Sequence, residues 1–212
     1  ILHLPADQVN CAECRLAKQT AEPARRISPE IREEKRAKVY GESMSADLVG
    51  PTKPDLAGKL YAETLLDDAT DYIHATGLTS KKPEEAWEGL VEMIDPASIR
   101  SLRTDDGGEF RGLFHKNCLE KGCRHFTTLP GRPQSNSRLE RRHRLLQEGT
   151  RAILGVSGLC YKFWLMALLF FVYSVNRMPK MSGDQSPYEK TIWKTLRGKV
   201  AEFWPGCHLC RL

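Results

Sequence analysis

The sequence contains no run of apolar residues long enough to cross a bilayer. The longest candidate is Phe163–Val175 (FWLMALLFFVYSV). It falls short of the roughly 18 residues that a membrane-spanning helix needs, and we expect a buried helix there. The N-terminus lacks the basic and then apolar pattern of a secretory signal peptide. Because the chain begins abruptly with ILHLPAD and ends abruptly with CHLCRL, we expect both ends to be cuts through a longer polypeptide.

Other absences narrow the possible chemistry. The seven cysteines are odd in number and have no secretory context, so a disulfide framework is not expected. Neither a Walker-type glycine loop nor a GxSxG nucleophile motif occurs, which argues against a P-loop enzyme and an α/β-hydrolase. The formal charge of +5 and the pI of about 8.8 are modestly basic, and they allow a polyanionic partner without requiring one.

The composition predicts one main domain with smaller flanking parts. With 212 residues, 41% of them apolar, the chain can form one well-packed domain of about 150 residues and an appendage. We assign residues 1–20 to a partial zinc-binding module, 21–38 to a charged linker, 39–178 to the main domain and 179–212 to a truncated C-terminal extension.

Two Cys-x-x-Cys pairs are candidates for metal binding outside the main domain. Cys11 and Cys14 follow His3, and two thiolates on a tight turn with one imidazole would supply three ligands of a structural zinc site. An unmetallated turn is the alternative, because no fourth ligand is nearby. Cys207 and Cys210 could form a second half-site, but they have no partner pair.

The remaining cysteines and most histidines are interpreted as structural. Small buried hydrophobes or free thiols are expected at Cys118, Cys123 and Cys160. Histidines without an obvious acidic or thiol partner are His74, His115, His125 and His208.

Hydrophobic periodicity from residue 39 onward predicts an α/β fold. Runs bounded by glycine, proline and aspartate indicate three strands, a helix, a strand, a helix and a fifth strand, followed by two further helices. This order predicts a mixed sheet covered by helices. The first strand should end at Asp47, and the fourth should end at Asp105 just before the turn at Gly107-Gly108.

Three acidic residues are placed where they could form a metal site. Asp47 and Asp105 are predicted at strand ends, where α/β proteins usually place their chemistry. Glu140 is predicted in the first turn of a helix from about Arg138 to Leu154. Two or three carboxylates are enough for Mg²⁺, and a pair of such ions can promote phosphodiester chemistry. Simpler explanations exist, because Asp-Gly is a common turn and the helix dipole favours an acid in a first turn.

Basic residues follow Glu140 directly. The run Arg141, Arg142, His143 and Arg144 would face a polyanion if the three acids form a metal site, and nucleic acid is then the expected partner. A solvated charged surface is the alternative explanation.

These residues stand in motifs that resemble the integrases of long-terminal-repeat retrotransposons of the copia type. DLVGP at Asp47 is similar to that family's first acidic motif, LRTDDGGEF at Asp105 to its second, and PGRPQSNSRLER at Glu140 to its third. The FW pair at Trp164 and the SPYE segment ending at Glu189 also fit the family. The leading His-Cys-x-x-Cys portion resembles the second half of the family's zinc module, and the resemblance covers nearly the whole chain.

The resemblance implies an RNase H-like fold, with a five-stranded mixed sheet flanked by helices. It also implies two phosphoryl transfers at one site: cleavage at the 3′ ends of the element's DNA, then attack of the freed 3′-hydroxyl on target DNA. Two Mg²⁺ or Mn²⁺ ions would be held by Asp47, Asp105 and Glu140. The residues implied to lie against DNA are Gln134, Asn136, Arg141 and Arg144. A homo-oligomer that acts in the nucleus, or otherwise resides in a cytoplasmic element particle, is implied as well.

The sequence departs from the family pattern at three nearby positions. Asp106 replaces the usual Asn and adds a charge that is expected to perturb Asp105 by repulsion. Ser137 replaces a loop Gly, and His143 stands where the family often has Asn. A catalytically inactive RNase H-like module that binds nucleic acid is therefore the alternative to an active integrase. An RNA-cleaving nuclease of the same fold is disfavoured by the FW and SPYE matches.

Overall fold

A computed structural model describes Ser28 and residues 36–127, 137–179 and 184–192. The chain divides into two units, Ile1–Lys35 and Arg36–Leu212. All helices and strands named below belong to the second unit. The predicted domain boundaries at residues 20, 38 and 178 stay predictions.

Five strands form one mixed sheet. They are β1 (Met44–Val49), β2 (Tyr61–Asp67), β3 (Ile73–Leu78), β4 (Ser101–Thr104) and β5 (Arg124–Thr127). Their order across the sheet is β3-β2-β1-β4-β5. The β1–β2 and β2–β3 pairs are antiparallel, whereas the β1–β4 and β4–β5 pairs are parallel. The predicted five-stranded mixed sheet is therefore confirmed, and β1 is its central strand.

Helices lie along both faces of this sheet. They are α1 (Pro83–Met93), α2 (Leu113–Glu120), α3 (Ser137–Ser157) and α4 (Trp164–Arg177). Residues 187–192 are also helical. A short 3₁₀ turn, Gly108–Phe110, connects β4 to the loop before α2.

Alternating side chains of the strands divide the core into two layers. Leu65 of β2 belongs to the layer that contains Phe110 and Phe114, beneath α1 and α2. Its neighbour Leu66 belongs to the opposite layer, beneath α3 and α4. This alternation is what a pleated strand buried on both faces requires. It places α3 on the sheet face opposite α1 and α2.

An asparagine fixes α4 to the edge strand β3. The Asn176 side chain accepts a hydrogen bond from the Ile73 N–H (2.9 Å) and donates one to the Ile73 carbonyl (2.7 Å). Both groups are buried, so losing the amide would leave two backbone groups without partners.

Three details of the sequence prediction are wrong. The fourth strand ends at Thr104, one residue before the predicted Asp105. The first strand does not end at Asp47, because its antiparallel pairing with β2 continues to Val49, opposite Ala62. The predicted buried helix is exposed along one side, where Phe170 keeps 60% of its surface and Tyr173 keeps 55%. Within the described ranges, no helix is both long and apolar enough to cross a membrane.

Candidate active site

Asp47 and Asp105 lie side by side on neighbouring strands. The parallel pairing of β1 with β4 aligns Met44 with Leu102 and Ser45 with Arg103. The same offset, continued two residues further, places Asp47 beside Asp105, the first residue after β4. The sequence hypothesis required the two aspartates to be on adjacent strands, and the structure places Asp47 on β1 and Asp105 directly after the neighbouring strand β4.

The electrostatics of Asp47 show that it lies in a crowded acidic environment. Its side chain keeps 23% of its exposure, and its Oδ1 accepts a hydrogen bond from the Leu48 N–H (2.8 Å). Burial, followed by the negative charges of Asp105 and Glu109, raises the pKa of Asp47 to about 6, against the opposing effects of Leu48 and Lys81. A bound cation would favour the charged form of such a group.

Glu109, the last acid of the LRTDDGGEF motif, also acts on Asp47 through its charge. The sequence predicted no role for it. Its side chain is buried, and its Oε1 accepts a hydrogen bond from Lys81 Nζ at 3.2 Å. Burial of this charge is thus compensated by one cation. The motif contained the residue, but its partner Lys81 is 28 positions away, and no local pattern connects the two.

Gly107 leaves room for the carboxylates of Asp105 and Glu109, because it has no side chain. Its N–H donates to Asp105 Oδ1 at 3.1 Å. A Cβ added to Gly107 would lie 2.9 Å from Asp105 Oδ1 and 2.8 Å from the carboxyl carbon of Glu109. Any larger residue would therefore displace one of the two acids.

Helix α3 reaches the site through His143. Its Nδ1 lies 3.4 Å from Asp47 Oδ2, and its Nε2 lies 2.6 Å from the Thr64 hydroxyl. Burial lowers the pKa of His143 to about 4, so the imidazole is neutral near pH 7. The Thr64 hydroxyl also lies 3.2 Å from the Asp47 carbonyl oxygen, so its single proton is donated either to that carbonyl or to His143 Nε2.

Glu140 lies in the first turn of α3 and is exposed. Its side chain makes no hydrogen bond or ion pair with another described residue. Across the part of the chain that the structure describes, no group of three or more His, Cys, Asp and Glu side chains converges to hold a metal ion. The structure thus brings Asp47 and Asp105 together but does not bring Glu140 into a three-carboxylate cluster.

The start of α3 is anchored to the turn between β2 and β3 by ion pairs. Arg138 pairs with Asp68 (3.2 Å) and with Asp71, and Arg142 pairs with Asp71 at 3.3 Å. Asp71 keeps only 3% of its side-chain exposure, so these pairs are largely shielded from solvent. They hold the start of α3 at the end of the sheet where β1 begins, because Asp67, just before the turn, pairs with Met44.

The basic run on α3 divides between two sides of the helix. Arg142 and His143 were expected to face a polyanion, and this is wrong, because they contact Asp71 and Asp47. Arg141 and Arg144 are exposed, and within the described ranges neither forms an ion pair. They stay the candidates for contact with phosphates.

Asp106 is exposed and is bound by the Arg111 guanidinium, whose Nε donates to Asp106 Oδ1 at 3.0 Å. A second hydrogen bond joins Arg111 to the other Asp106 oxygen. The extra charge that distinguishes this motif from the family pattern is therefore compensated locally.

Several predicted residues lie outside the described part of the chain. They are the zinc candidates His3, Cys11 and Cys14, the loop residues Gln134 and Asn136, and the pair Cys207 and Cys210. Their assignments stay predictions.

Comparison with known proteins relates the chain to transposon polyproteins, although no family model matches it. It is 29% identical over 177 residues to the retrovirus-related Pol polyprotein from transposon TNT 1-94 of Nicotiana tabacum, which covers 81% of the chain and 13% of that polyprotein. Over 105 residues it is 33% identical to the Pol polyprotein from transposon RE2 of Arabidopsis thaliana, covering 49% of the chain and 7% of that polyprotein. The chain thus spans a small part of each relative.

Solved structures share the fold. One is a chain of the simian T-cell lymphotropic virus intasome in complex with PP2A regulatory subunit B56 gamma, with a TM-score of 0.65 and 18% identity over 85% of this chain and 63% of that one. Another is the catalytic core domain of BIV integrase, with a TM-score of 0.61 and 19% identity over 75% of this chain and 99% of that one. Likeness at these identities establishes the architecture.

Proposed function

Since this chain is related to retrotransposon Pol polyproteins and has the RNase H-like fold of retroviral integrase catalytic cores, we propose that it processes DNA 3′ ends and transfers them into target DNA. The observation that carries the proposal is the placement of Asp47 beside Asp105 on parallel strands at the centre of the sheet. The shared fold alone would not establish function, because one fold can host many activities.

The donor atoms at this site fit a divalent metal. Mg²⁺ and Mn²⁺ prefer oxygen ligands, and Asp47 and Asp105 offer carboxylates whose mutual repulsion contributes to the raised pKa of Asp47. Glu140, exposed on the first turn of α3, would be the third ligand. When bound, such ions activate an attacking oxygen and stabilise a leaving oxygen at phosphorus.

The surface beside Glu140 fits a nucleic acid. Arg141 and Arg144 are exposed on the same helix, and guanidinium groups bind phosphates in paired hydrogen bonds. They would orient the DNA backbone relative to the two aspartates. Gln134 and Asn136, which precede α3 in the sequence, would add contacts to DNA if they bind it as the resemblance implies.

We also propose that the chain acts as a homo-oligomer. Helix α4 carries an exposed apolar stripe at one-turn spacings, formed by Met166, Leu169, Phe170 and Tyr173. A patch of this kind is rare on a monomeric surface unless it binds something. Sedimentation of the wild-type chain and of Phe170→Lys tests this, and a monomeric wild-type chain would contradict it.

The catalytic proposal is tested by a strand-transfer assay with a DNA end substrate and Mg²⁺ or Mn²⁺. Asp105→Asn should abolish metal-dependent product. Asp106→Asn is the matched control, because Asp106 is exposed and paired with Arg111, and it should retain activity. Metal-dependent activity that survives Asp105→Asn would contradict the assignment.

His143 supports a second candidate, an inactive module that binds nucleic acid. Its imidazole already occupies one side of Asp47 and is held there by Thr64. Tight DNA binding that needs no metal, with no cleavage or transfer under any metal condition, would favour this alternative.

A further inference from the structure

A chain of hydrogen bonds runs from the protein surface to the backbone of Asp105. The exposed His115, on α2, has its Nδ1 at 2.8 Å from Nδ1 of His125 on β5. On the other side of its ring, His125 Nε2 lies 2.8 Å from the hydroxyl of Thr104, the last residue of β4. The Thr104 hydroxyl in turn donates to the Asp105 carbonyl oxygen at 2.9 Å.

The direction of each bond follows from the number of protons available. A carbonyl can only accept, so the single hydroxyl proton of Thr104 is used on Asp105. His125 must then donate to Thr104 through Nε2–H. If His125 is neutral, its Nδ1 is an acceptor, and His115 must donate through Nδ1–H. One protonation pattern therefore satisfies every hydrogen bond in the series from His115 to Asp105.

Packing keeps the central imidazole in place. His125 keeps 7% of its exposure and Thr104 none. The ring of Phe114 packs edge-on against His125 with a centroid separation of 5.5 Å. Burial, followed by the effect of His115, lowers the pKa of His125 to about 4, which agrees with the neutral form that the bond directions require.

The series of hydrogen bonds holds the peptide group of Asp105, which is the residue proposed to bind the metal. Asp105 is fixed at two points: its carbonyl by Thr104, and its Oδ1 by the Gly107 N–H. The short strand β4 ends at Thr104, and among the described residues no sheet pairing extends beyond its pair with Thr127 of β5. The side-chain hydrogen bond continues the constraint past the end of the strand.

We propose that His125 is a positioning residue that acts through Thr104 to orient Asp105 for metal binding, with His115 selecting its tautomer from the surface. This role rests on the proposed function, because it assumes that Asp105 binds the metal. It assigns a purpose to two histidines outside the sequence motifs, and to the threonine of LRTDDGGEF, for which the sequence predicted no role.

Two variants of Thr104 test the role with Mn²⁺ as the probe, using the full chain and a direct binding measurement by calorimetry. Thr104→Val keeps the shape but removes the hydroxyl, and we expect Mn²⁺ affinity to fall about tenfold, as for loss of other groups that orient metal ligands. Thr104→Ser restores the hydroxyl and should bind as the wild type does. His125→Gln, whose amide can donate to Thr104, should retain more affinity than His125→Leu.

The outcomes separate this role from the proposed function. If the wild-type chain binds Mn²⁺ and Asp105→Asn does not, while Thr104→Val binds as tightly as Thr104→Ser, the positioning role is overturned and the proposed function stands. If the wild-type chain binds no Mn²⁺, both are overturned.

A second measurement remains informative if Thr104→Val fails to fold. Nitrogen-15 NMR of the histidine rings in the wild-type chain near neutral pH reports the tautomers directly. We expect the proton on Nε2 of His125 and on Nδ1 of His115. A His125 ring that is protonated on Nδ1 would overturn the proposal.

Discussion

The Nδ1 atom of His143 lies 3.4 Å from Oδ2 of Asp47. This contact places a neutral imidazole against one of the two aspartates proposed to bind metal. Because Thr64 holds the other ring nitrogen at 2.6 Å, the imidazole is not free to swing away. The contact therefore restricts the access of a metal ion to one side of the Asp47 carboxylate.

Replacement of His143 should open the site. We expect His143→Asn to bind Mn²⁺ more tightly and to give more strand-transfer product than the wild type, because the shorter side chain leaves Asp47 Oδ2 accessible. Calorimetry and the transfer assay measure the two effects. Arg142→Lys, at the neighbouring position that contacts Asp71 instead, is the control for disturbing the helix, and weaker Mn²⁺ binding by His143→Asn would contradict the prediction.

Asp47 should make the metal-free protein less stable as the pH rises. Its pKa is raised in the folded state from 3.8 to about 6, so its favourable contribution is fully present below pH 3.8 and is lost as the pH rises through 6. A shift of this size corresponds to about 3 kcal/mol at most. Asp47→Asn should therefore increase the free energy of unfolding near pH 7 when no divalent metal is present.

Urea unfolding at pH 4 and pH 7 in a chelating buffer measures this difference. In a separate measurement without chelator, added Mn²⁺ should stabilise the wild type and leave the stability of Asp47→Asn nearly unchanged, because a ligand stabilises only the state that binds it. Asp106→Asn, which changes an exposed acid, is the control. An Asp47→Asn chain that is no more stable than the wild type at pH 7 would argue against the crowded acidic environment.

Glu63 is a separate source of pH dependence within the core. Its side chain is fully buried, and neither carboxylate oxygen has a hydrogen-bond partner among the described residues. Burial, followed by the charge of Glu109, raises the pKa of Glu63 well above its ordinary value. The stability that it contributes is present at low pH and is lost as the pH rises towards the folded-state pKa.

The Glu63→Gln substitution should flatten this dependence. The amide keeps the shape of the side chain and cannot ionise. Above pH 6, where the pH-dependent loss of stability from Asp47 is already complete, the unfolding free energy of the variant should therefore fall less than that of the wild type. Unfolding curves over a series of pH values measure the slope. Glu88→Gln, at an exposed position on α1, should leave the slope unchanged, and an equal flattening by both variants would exclude Glu63 as the cause.

The order of strands and helices could be read from the sequence because glycine, proline and aspartate separate apolar runs of the correct length. The end of the fourth strand is predicted to within one residue, at Asp105 rather than Thr104, since Gly107-Gly108 marks the turn. The end of β1 is not, because β2 extends the pairing past Asp47 to Val49, and a pairing partner is not encoded locally. Helix α4 is apolar on all sides, so its sequence could not show which side Phe170 exposes.

The inward orientation of His143 was available from periodicity. Leu139 and Leu146 are buried, and Arg142 and His143 complete the i, i+3, i+4, i+7 stripe between them. Their polarity led to the opposite prediction. The burial of Glu109, in contrast, depends on Lys81 from a distant segment, and no periodic pattern extends across a 3₁₀ turn of three residues.

The two glycines of the central motif should differ in their tolerance of a side chain. A Cβ at Gly107 would lie 2.9 Å from Asp105 Oδ1, whereas one at Gly108 would meet nothing within 4 Å. Gly107→Ala should therefore displace Asp105 and reduce strand transfer, by about 100-fold if the shift approaches 1 Å. Gly108→Ala should retain activity. Both variants change the backbone similarly, but only Gly107→Ala crowds the carboxylates. Equal activity of the two, measured at saturating Mn²⁺, would show that the position of Asp105 does not limit the reaction.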